Sequence, residues 1–167
     1  MAISTADIKA LRDLTGAGIM DSKRALVEAD GNMDRAQEIL RDKGIASAAK
    51  KSDRQTDQGL VESYIHSGGR VGAMVEANCE TDFVARTEEF KTLAHDIAMQ
   101  VAAMNPRYLD ESDIPEGEDV SPQESCLLQQ TFIKDPSITI QDLIKSSVGK
   151  LGENIRVRRF SRFSLGE

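Results

Sequence analysis

The sequence predicts an α+β protein, with a three-helix bundle at the N-terminus and then a small antiparallel three-stranded sheet packed by helices. Apolar residues recur at three- and four-residue spacing through residues 4–44, as amphipathic helices require. Two alternating runs over residues 60–66 and 71–78 flank a glycine turn and predict a β-hairpin. A long periodic run over residues 87–104 predicts a further helix, and an alternating run over residues 154–163 supplies the third strand.

Composition limits the class of protein. A chain of 167 residues suits one or two small domains, and with 40% hydrophobic but only 4% aromatic residues its core must be largely aliphatic. The 21 basic and 28 acidic residues give a net charge of −7, which argues against nucleic-acid binding driven by overall charge. Cys79 and Cys126 are too few for a disulfide framework or a four-cysteine zinc site.

Targeting and membrane segments are not expected. The sequence lacks an apolar run of about 18 residues, so no transmembrane helix is predicted. The first residues, Met1–Asp7, do not show the basic and apolar regions of a signal peptide. We therefore expect a reduced, cytoplasmic protein without a membrane partner.

Three short helices are predicted for residues 4–44. The two glycines within Thr15–Gly18 allow a tight connection after the first helix, and Lys43-Gly44 is predicted to end the third. The predicted N-caps are Ser4 or Thr5, then Asp21, then Asn32. The predicted inward-facing residues are Ile8, Leu11 and Leu14, then Ala25, Leu26 and Ala29, then Met33, Ala36, Ile39 and Leu40.

The chain is predicted to divide into three parts. Residues 1–45 hold the three helices, and residues 59–167 hold the sheet and the helices that pack on it. Residues 46–58 begin with a stretch that could extend a helix, but then become polar and lose apolar periodicity, which is typical of a linker.

The hairpin is predicted from two alternating strands joined by Ser67–Arg70. Its expected inward residues are Val61, Ser63 and Ile65 on the first strand, and Val71, Ala73, Val75 and Ala77 on the second. His66 has no second histidine or acid at ligand spacing, and His95 falls inside a predicted helix, so we expect neither to bind a metal or to act in catalysis.

The connection between the hairpin and the long helix holds the candidate binding residues. Thr87 can cap that helix, whose apolar stripe runs from Phe90 to Met104. Asp82 and Phe83 therefore fall in a connection between two rigid elements, where binding residues concentrate. The alternative is a core position for Phe83 and its neighbour Val84, since single aromatics near helix starts usually pack inside.

The C-terminal part is predicted to contain an acidic loop, a helix and the last strand. Residues 108–133 hold seven acids and no base, and the first half of this segment is expected to be an extended loop. Thr139 and Asp142 have the spacing of a capping box for the helix that follows. Arg159-Phe160 breaks the strand's alternation, as a β-bulge does. The basic residues of this strand, most simply an exposed sheet face, are Arg156, Arg158, Arg159 and Arg162.

Three stretches of the chain resemble the elongation factor Ts family and come in the family's order. They are Thr15–Asp21, Asn78–Arg86 and Lys150–Phe160. That family is the guanine-nucleotide exchange factor for the translation GTPase elongation factor Tu. The resemblance implies that residues 1–45 form a ubiquitin-associated-like domain. It also implies that this is a short form, because longer members carry a large, mostly helical insertion in the C-terminal half that is missing here.

The resemblance implies two sets of partner-binding residues. The loop residues Thr81, Asp82, Phe83 and Val84 would enter elongation factor Tu and disturb its Mg²⁺ site, so that GDP leaves. The residues Gly18, Ile19 and Met20 would dock on its GTP-binding domain. The structural alternative for this second set is a hydrophobic staple against the second helix. The chain is expected to bind both GDP-bound and nucleotide-free elongation factor Tu, and to need no cofactor or metal of its own.

The known catalytic motifs are not found in the sequence. It contains neither a phosphate-binding glycine loop followed by Lys-Ser/Thr, nor Gly-x-Ser-x-Gly, nor His-Glu-x-x-His. We therefore predict an exchange factor that works by binding, and not an enzyme. Two alternatives remain open: a peptide or ubiquitin binder acting through residues 1–45, and an RNA-binding protein that uses the C-terminal arginines.

A homodimer is also predicted. The long helix can cover one face of the sheet, while the other face is expected to expose Tyr64, Met74 and Phe160, which are large for a solvated surface. The short members of the resembled family are dimeric. A second copy could therefore cover this face through a two-fold contact built on residues 59–167.

Overall fold

The computed structural model describes residues 3–167 and contains the predicted helical region followed by the predicted sheet. Met1 and Ala2, which begin the predicted 1–45 unit, lie outside the described residues. The helices are α1 (Thr5–Thr15), α2 (Ile19–Glu28), α3 (Met33–Lys51), α4 (Asp82–Ala85), α5 (Glu88–Met104), α6 (Pro122–Ser125) and α7 (Ile140–Leu151). The strands are β1 (Gln58–Ile65), β2 (Val71–Cys79), β3 (Thr131–Phe132), β4 (Asp135–Thr139) and β5 (Ile155–Ser164). Two 3₁₀ turns lie at Glu111–Asp113 and Leu127–Gln129.

The first three helices enclose a small hydrophobic cluster of their own. Its buried members are Leu11, Ala25, Leu26, Ala29 and Ala36. Ser4 caps α1 and forms a capping box with Asp7, and Asn32 caps α3, as predicted for both caps. The predicted cap at Asp21 is wrong, because α2 already begins at Ile19, and Asp21 instead pairs with Arg24 within the helix. Leu14 was predicted to face inward but is exposed.

Helix α3 does not end at Lys43-Gly44, as the sequence suggested, but continues to Lys51. Gly44 lies against Gly149 of α7, where the absence of a side chain on Gly149 lets the two helices approach closely. Further along α3, Ala48 packs on the main core. These contacts favour helix over linker, so the start of the predicted 46–58 linker is helical. The division into 1–45, 46–58 and 59–167 stays a prediction.

The main sheet is antiparallel with strand order β1-β2-β5. Glu62 lies opposite Val75, and Tyr64 opposite Ala73, so these β1 residues share the buried face of β2. The predicted inward set Val61, Ser63 and Ile65 is therefore wrong by one residue: Val61 and Ile65 are exposed on the other face. The strand itself was predicted correctly, but not which of its faces is buried. Apolar residues occur on both faces of β1, at Leu60 and Tyr64 as well as at Val61 and Ile65.

The predicted bulge in the last strand is present. Val157 lies opposite Ala77 and Arg159 opposite Glu76, so Arg158 is the extra residue. The bulge turns Phe160 toward the main core, and Tyr64 packs against the same core. Neither residue therefore lies on the open sheet face, which corrects the prediction for both. The large exposed residues of that face, called here the outer sheet face, are Val61, Ile65, Met74 and Phe163.

The main core lies between the sheet, α5 and α7. Phe90, Ile97 and Val101 of α5 are fully buried in it, and the Thr87 hydroxyl caps this helix as predicted. Thr139 and Asp142 form the predicted capping box of α7. Strands β3 and β4 form a second, two-stranded antiparallel sheet. A buried amide pair ties α5 to its edge: the Gln100 Nε2 donates to Gln130 Oε1 at 3.2 Å, and the Ile133 amide donates to Gln100 Oε1 at 3.0 Å. Across residues 3–167, none of the helices is long and apolar enough to cross a bilayer.

Candidate functional site

The candidate loop between β2 and α5 is short and tightly built. Strand β2 ends at Cys79, Thr81 is the N-cap of α4, and only two residues separate the end of α4 from the start of α5. The Thr81 Oγ1 accepts a hydrogen bond from the Val84 amide at 3.3 Å. The four-residue helix α4 was not predicted, because it is too short to show a periodicity. The Thr81 cap is the signal that could have revealed it.

Phe83 and Val84 point in opposite directions from α4. Val84 is only 5% exposed and belongs to the main core, whereas Phe83 is 78% exposed. The core alternative thus describes Val84 but not Phe83. The buried neighbour anchors the helix, and the anchored helix holds the phenylalanine out in solvent.

Asp82 lies beside Phe83 and pairs with Arg86. The Asp82 Oδ2 lies 2.9 Å from an Arg86 guanidinium nitrogen, and both side chains are exposed. Asp82, Phe83, Arg86 and Thr87 line a shallow depression on the surface. Because an exposed ion pair contributes about 0–1 kcal/mol, Asp82 can exchange this contact for a partner's hydrogen-bond donor at small cost.

Glu153, a residue not singled out from the sequence, holds the base of the loop. Its Oε2 accepts hydrogen bonds from the Glu80 amide at 3.1 Å and the Thr81 amide at 3.0 Å. Its Oε1 accepts one from the Thr81 hydroxyl at 2.6 Å. Glu153 lies between α7 and β5, directly after Gly152, whose φ of 76° ends α7. Glu153 falls within the recognised stretch Lys150–Phe160, but its contacts were not predictable, because its partners lie more than 70 residues earlier.

The segment that holds Glu153 also donates a hydrogen bond to the loop. The Asn154 amide donates to Glu80 Oε1 at 2.7 Å, so each segment donates to a carboxylate of the other. The Asn154 side chain is buried and donates to the carbonyls of Ser52 and Arg54, just beyond α3. We call Glu80, Thr81, Glu153 and Asn154 the Glu153 network. It joins the loop, the start of β5 and the end of α3.

Cys79 lies beneath the loop and is fully buried. Its Sγ donates to the Thr81 carbonyl at 3.1 Å. Burial, helped by the negative charge of Glu153, raises the pKa of this thiol from 9.0 to about 11. Cys79 is therefore a neutral thiol at physiological pH and serves as a packing residue, and not as a nucleophile.

The second candidate set lies at the start of α2. Gly18 is its N-cap, and both Ile19 and Met20 are exposed, Met20 by 63%. This exposure does not favour the hydrophobic-staple alternative, in which Ile19 or Met20 would be covered. A shallow, largely apolar groove with a mostly basic rim lies beside them, lined by Met20, Lys23, Arg24, Val27, Glu28 and Lys43.

The arginines of β5 have partners within the chain. Arg159 Nε donates to Glu76 Oε2 at 2.8 Å, and Arg162 Nε donates to the Ala102 carbonyl at 3.0 Å. Burial alone pushes the pKa of Glu76 upward, but the hydrogen bonds from Arg159 and Asn78 and the arginine charges outweigh it and hold the pKa below its ordinary value. The pairing of Arg159 with Glu76 fits an exposed sheet face better than an RNA-binding surface. The predicted exposed face is wrong for Arg162, which lies opposite the buried Ala73 and reaches α5.

The two histidines are local partners of other side chains. The His95 Nδ1 lies 3.1 Å from Glu62 Oε1, and the His66 Nδ1 lies 3.0 Å from the Tyr64 hydroxyl. In the described part of the chain, His, Cys, Asp and Glu side chains do not form groups of three or more that could hold a metal ion.

Comparisons with known proteins point to one family. The sequence model described as "Elongation factor TS" matches residues 45–121. Elongation factor Ts of Carboxydothermus hydrogenoformans is 49% identical over 195 aligned residues, covering 99% of this chain and 90% of that protein. The Moorella thermoacetica protein of the same name is 48% identical, covering 99% and 96%, and that of Rippkaea orientalis 50%, covering 99% and 79%. These alignments are longer than the chain of 167 residues, so each relative has residues that this chain lacks.

Proposed function

The chain belongs to the elongation factor Ts family, and from this we propose that it binds elongation factor Tu in the cytoplasm and promotes release of GDP. Its working element is the loop Thr81–Val84, with Phe83 inserted into the GTPase beside the Mg²⁺ site. It acts as a non-enzymatic exchange factor that makes and breaks no covalent bond. The partner states it binds are the GDP-bound and the nucleotide-free forms.

One observation carries this proposal: Phe83 is 78% exposed on a helix whose next residue is buried in the core. Burial of an aromatic side chain is favourable by about 1.5–3 kcal/mol relative to exposure, so a pocket on the partner that buries Phe83 would gain this free energy. The anchoring by Val84 and the Thr81 cap means that little conformational freedom is lost when Phe83 enters that pocket.

The chemistry of the partner explains why such an insertion releases GDP. Mg²⁺ requires near-ideal octahedral oxygen geometry, and in GTPases it bridges protein oxygens and nucleotide phosphate. A side chain that displaces the surrounding backbone spoils this geometry and weakens GDP binding. Asp82 can fix the position of the loop on the partner by accepting hydrogen bonds from it. By linkage, the factor binds nucleotide-free elongation factor Tu more tightly than the GDP form, by the same ratio that it weakens GDP.

Release of fluorescent GDP from elongation factor Tu, measured at increasing concentrations of this protein, tests the proposal. Wild type should accelerate release, and Phe83→Ala should lose most of the acceleration while keeping the wild-type melting temperature. The matched control is Leu14→Ala, which removes an apolar side chain that is 63% exposed on α1. Equal rates for wild type and Phe83→Ala would reject the insertion role.

The N-terminal residues Gly18, Ile19 and Met20 are proposed to dock on the GTP-binding domain of elongation factor Tu. Two exposed apolar side chains on one helical turn, beside a groove with a mostly basic rim, support this. The ubiquitin-associated-like nature of this region belongs to the same proposal. Docking here supplies affinity, while Phe83 supplies the release of nucleotide.

The outer sheet face is proposed to form a homodimer contact. Val61, Ile65, Met74 and Phe163 are all exposed there, on a sheet whose other face is covered. Light scattering at micromolar concentration tests this: the dimer predicts twice the mass of one 18.3 kDa chain, and Met74→Glu should restore the single-chain mass. A wild-type mass of one chain that does not change on concentration would reject it.

A further inference from the structure

We infer that Glu153 is a positioning residue for nucleotide release: it fixes the Thr81 cap and, through α4, the direction in which Phe83 points. This rests on the proposed function of Phe83 and adds to it a residue in a distant part of the chain. Glu153 acts through the loop and is not itself inserted into the partner.

The geometry of the cap carries the argument. The Thr81 hydroxyl has one proton, and that proton is donated to Glu153 Oε1 at 2.6 Å. The hydroxyl oxygen is thereby left to accept from the Val84 amide, which starts α4. Without the carboxylate, the hydroxyl can rotate and donate elsewhere, so the cap no longer has a single arrangement.

The backbone contacts act in the same direction. The amides of Glu80 and Thr81 lie just beyond the last residue of β2, where the strand ladder no longer supplies acceptors. The Glu153 Oε2 accepts from both. The Glu153 carboxylate thus replaces the missing strand partner and also accepts the hydrogen bond of the Thr81 hydroxyl. Three donors to one carboxylate give a strong, charge-assisted attachment.

Phe83 needs such an attachment because it is exposed. Its side chain makes few contacts that could fix its direction. The residues that attach α4 to the rest of the protein are Thr81 and Val84. A helix of four residues is too short to be stable by itself. Its orientation is therefore set by Val84 on one side and the Glu153 network on the other.

Glu153→Gln is the sharpest test, because it keeps the shape of the side chain. Glutamine offers one acceptor oxygen where the carboxylate offers two, and its amide presents donors to the donors of the loop. We expect the maximal rate of GDP release at saturating factor to fall about tenfold. The concentration for half-maximal release should change less than twofold, since the proposed docking residues are untouched. Glu116→Gln, an exposed glutamate in the acidic loop with the same charge change, is the control and should match wild type.

A double-mutant cycle with Phe83 separates positioning from other roles. If Glu153 acts through Phe83, then Glu153→Gln should slow release less than twofold further in a Phe83→Ala background. The same tenfold loss in both backgrounds would overturn the inference, as would no loss in the wild-type background. If Phe83→Ala itself had no effect, the proposed function would fail first, so the two failures are distinguishable.

A second pair of variants guards against loss of folding. If Glu153→Gln melts below the assay temperature, Thr81→Val and Thr81→Ser are compared instead, with the carboxylate intact. Serine keeps the hydroxyl between Glu153 and the Val84 amide, and valine removes it at nearly constant shape. Positioning through the cap predicts a loss of maximal rate in Thr81→Val that Thr81→Ser largely restores, and equal rates for the two variants would overturn it.

Discussion

Gly149 of α7 lies so close to α3 that a Cβ added to it would be 2.8 Å from the Cα of Gly44. The contact is asymmetric, because a Cβ added to Gly44 would have its nearest neighbour, the Cα of Ser146, at 4.0 Å. Gly149 is thus in hard backbone contact, whereas Gly44 has room for a methyl group. This pair of glycines is where the N-terminal helices and the main core meet.

The asymmetry predicts opposite effects for the same substitution at two touching positions. Gly149→Ala should destabilise the protein by about 1–3 kcal/mol, because two helix backbones must move apart. Gly44→Ala should stabilise it by about 0.5–1 kcal/mol, through the better helix propensity of alanine at a position with space. Urea unfolding of the two variants measures both, and effects of equal sign would contradict the packing described.

The buried amide of Gln100 predicts a large loss of stability. Gln100→Leu keeps the volume but leaves the Ile133 amide, the Thr131 carbonyl and Gln130 Oε1 without their partner. Unsatisfied buried groups of this kind should lower the free energy of unfolding by about 2–3 kcal/mol in total. The control is Gln123→Leu, at an exposed position, with an effect within about 0.5 kcal/mol. Similar midpoints of chemical unfolding for the two variants would show that the network contributes little.

The Cys79 thiol predicts a loss of stability at alkaline pH. Its pKa is raised from 9.0 to about 11 in the folded protein, so below pH 9 both folded and unfolded chains keep the proton and its contribution is fully present. Between pH 9 and 11 the unfolded chain releases the proton while the folded chain retains it, and stability falls by up to about 1.4 kcal/mol per pH unit. Unfolding midpoints across this range should fall more steeply for wild type than for Cys79→Ala. Parallel profiles would contradict the shift.

The proposed docking turn predicts a change in affinity and not in rate. Met20→Ser should raise the concentration needed for half-maximal GDP release about tenfold, since the apolar contact of one methionine is lost. The maximal rate should be unchanged, because Phe83 and the Glu153 network are intact. Leu14→Ser is the control, as Leu14 is also 63% exposed but lies on α1. A lower maximal rate, with unchanged half-saturation, would contradict a docking role for Met20.

The parts of the fold that were predictable from the sequence have local signals. The long helix α5 has a strict apolar period and a threonine cap, and the bulge at Arg158 interrupts a clear alternation. The phase of β1 was not predictable, because its apolar residues occur at both even and odd positions. Which set is buried is decided by pairing with β2, whose alternate residues are small and lie under α5.

The candidate site was also predictable only in part, because some of its contacts join distant parts of the chain. Its position after β2, before the Thr87 cap, follows from local sequence, and the exposure of Phe83 agrees with it. The Glu153 network joins residues that no local pattern relates. The predicted end of α3 at Lys43-Gly44 was wrong because Gly44 resembles a helix end in sequence, while in the fold it is a contact with Gly149.

The separation of Glu153 from its partners also affects the order of assembly during synthesis. The residues joined by the network lie 72 to 74 positions apart, and β2 gains β5 as a neighbour only after Glu153 has been added. Chains emerge from the ribosome N-terminus first, so the β1-β2 hairpin exists long before the base of the loop can be closed. A nascent or C-terminally truncated chain therefore carries Phe83 on an unsupported loop. If Phe83 acts as proposed, the loop can promote nucleotide release only after the last strand is complete.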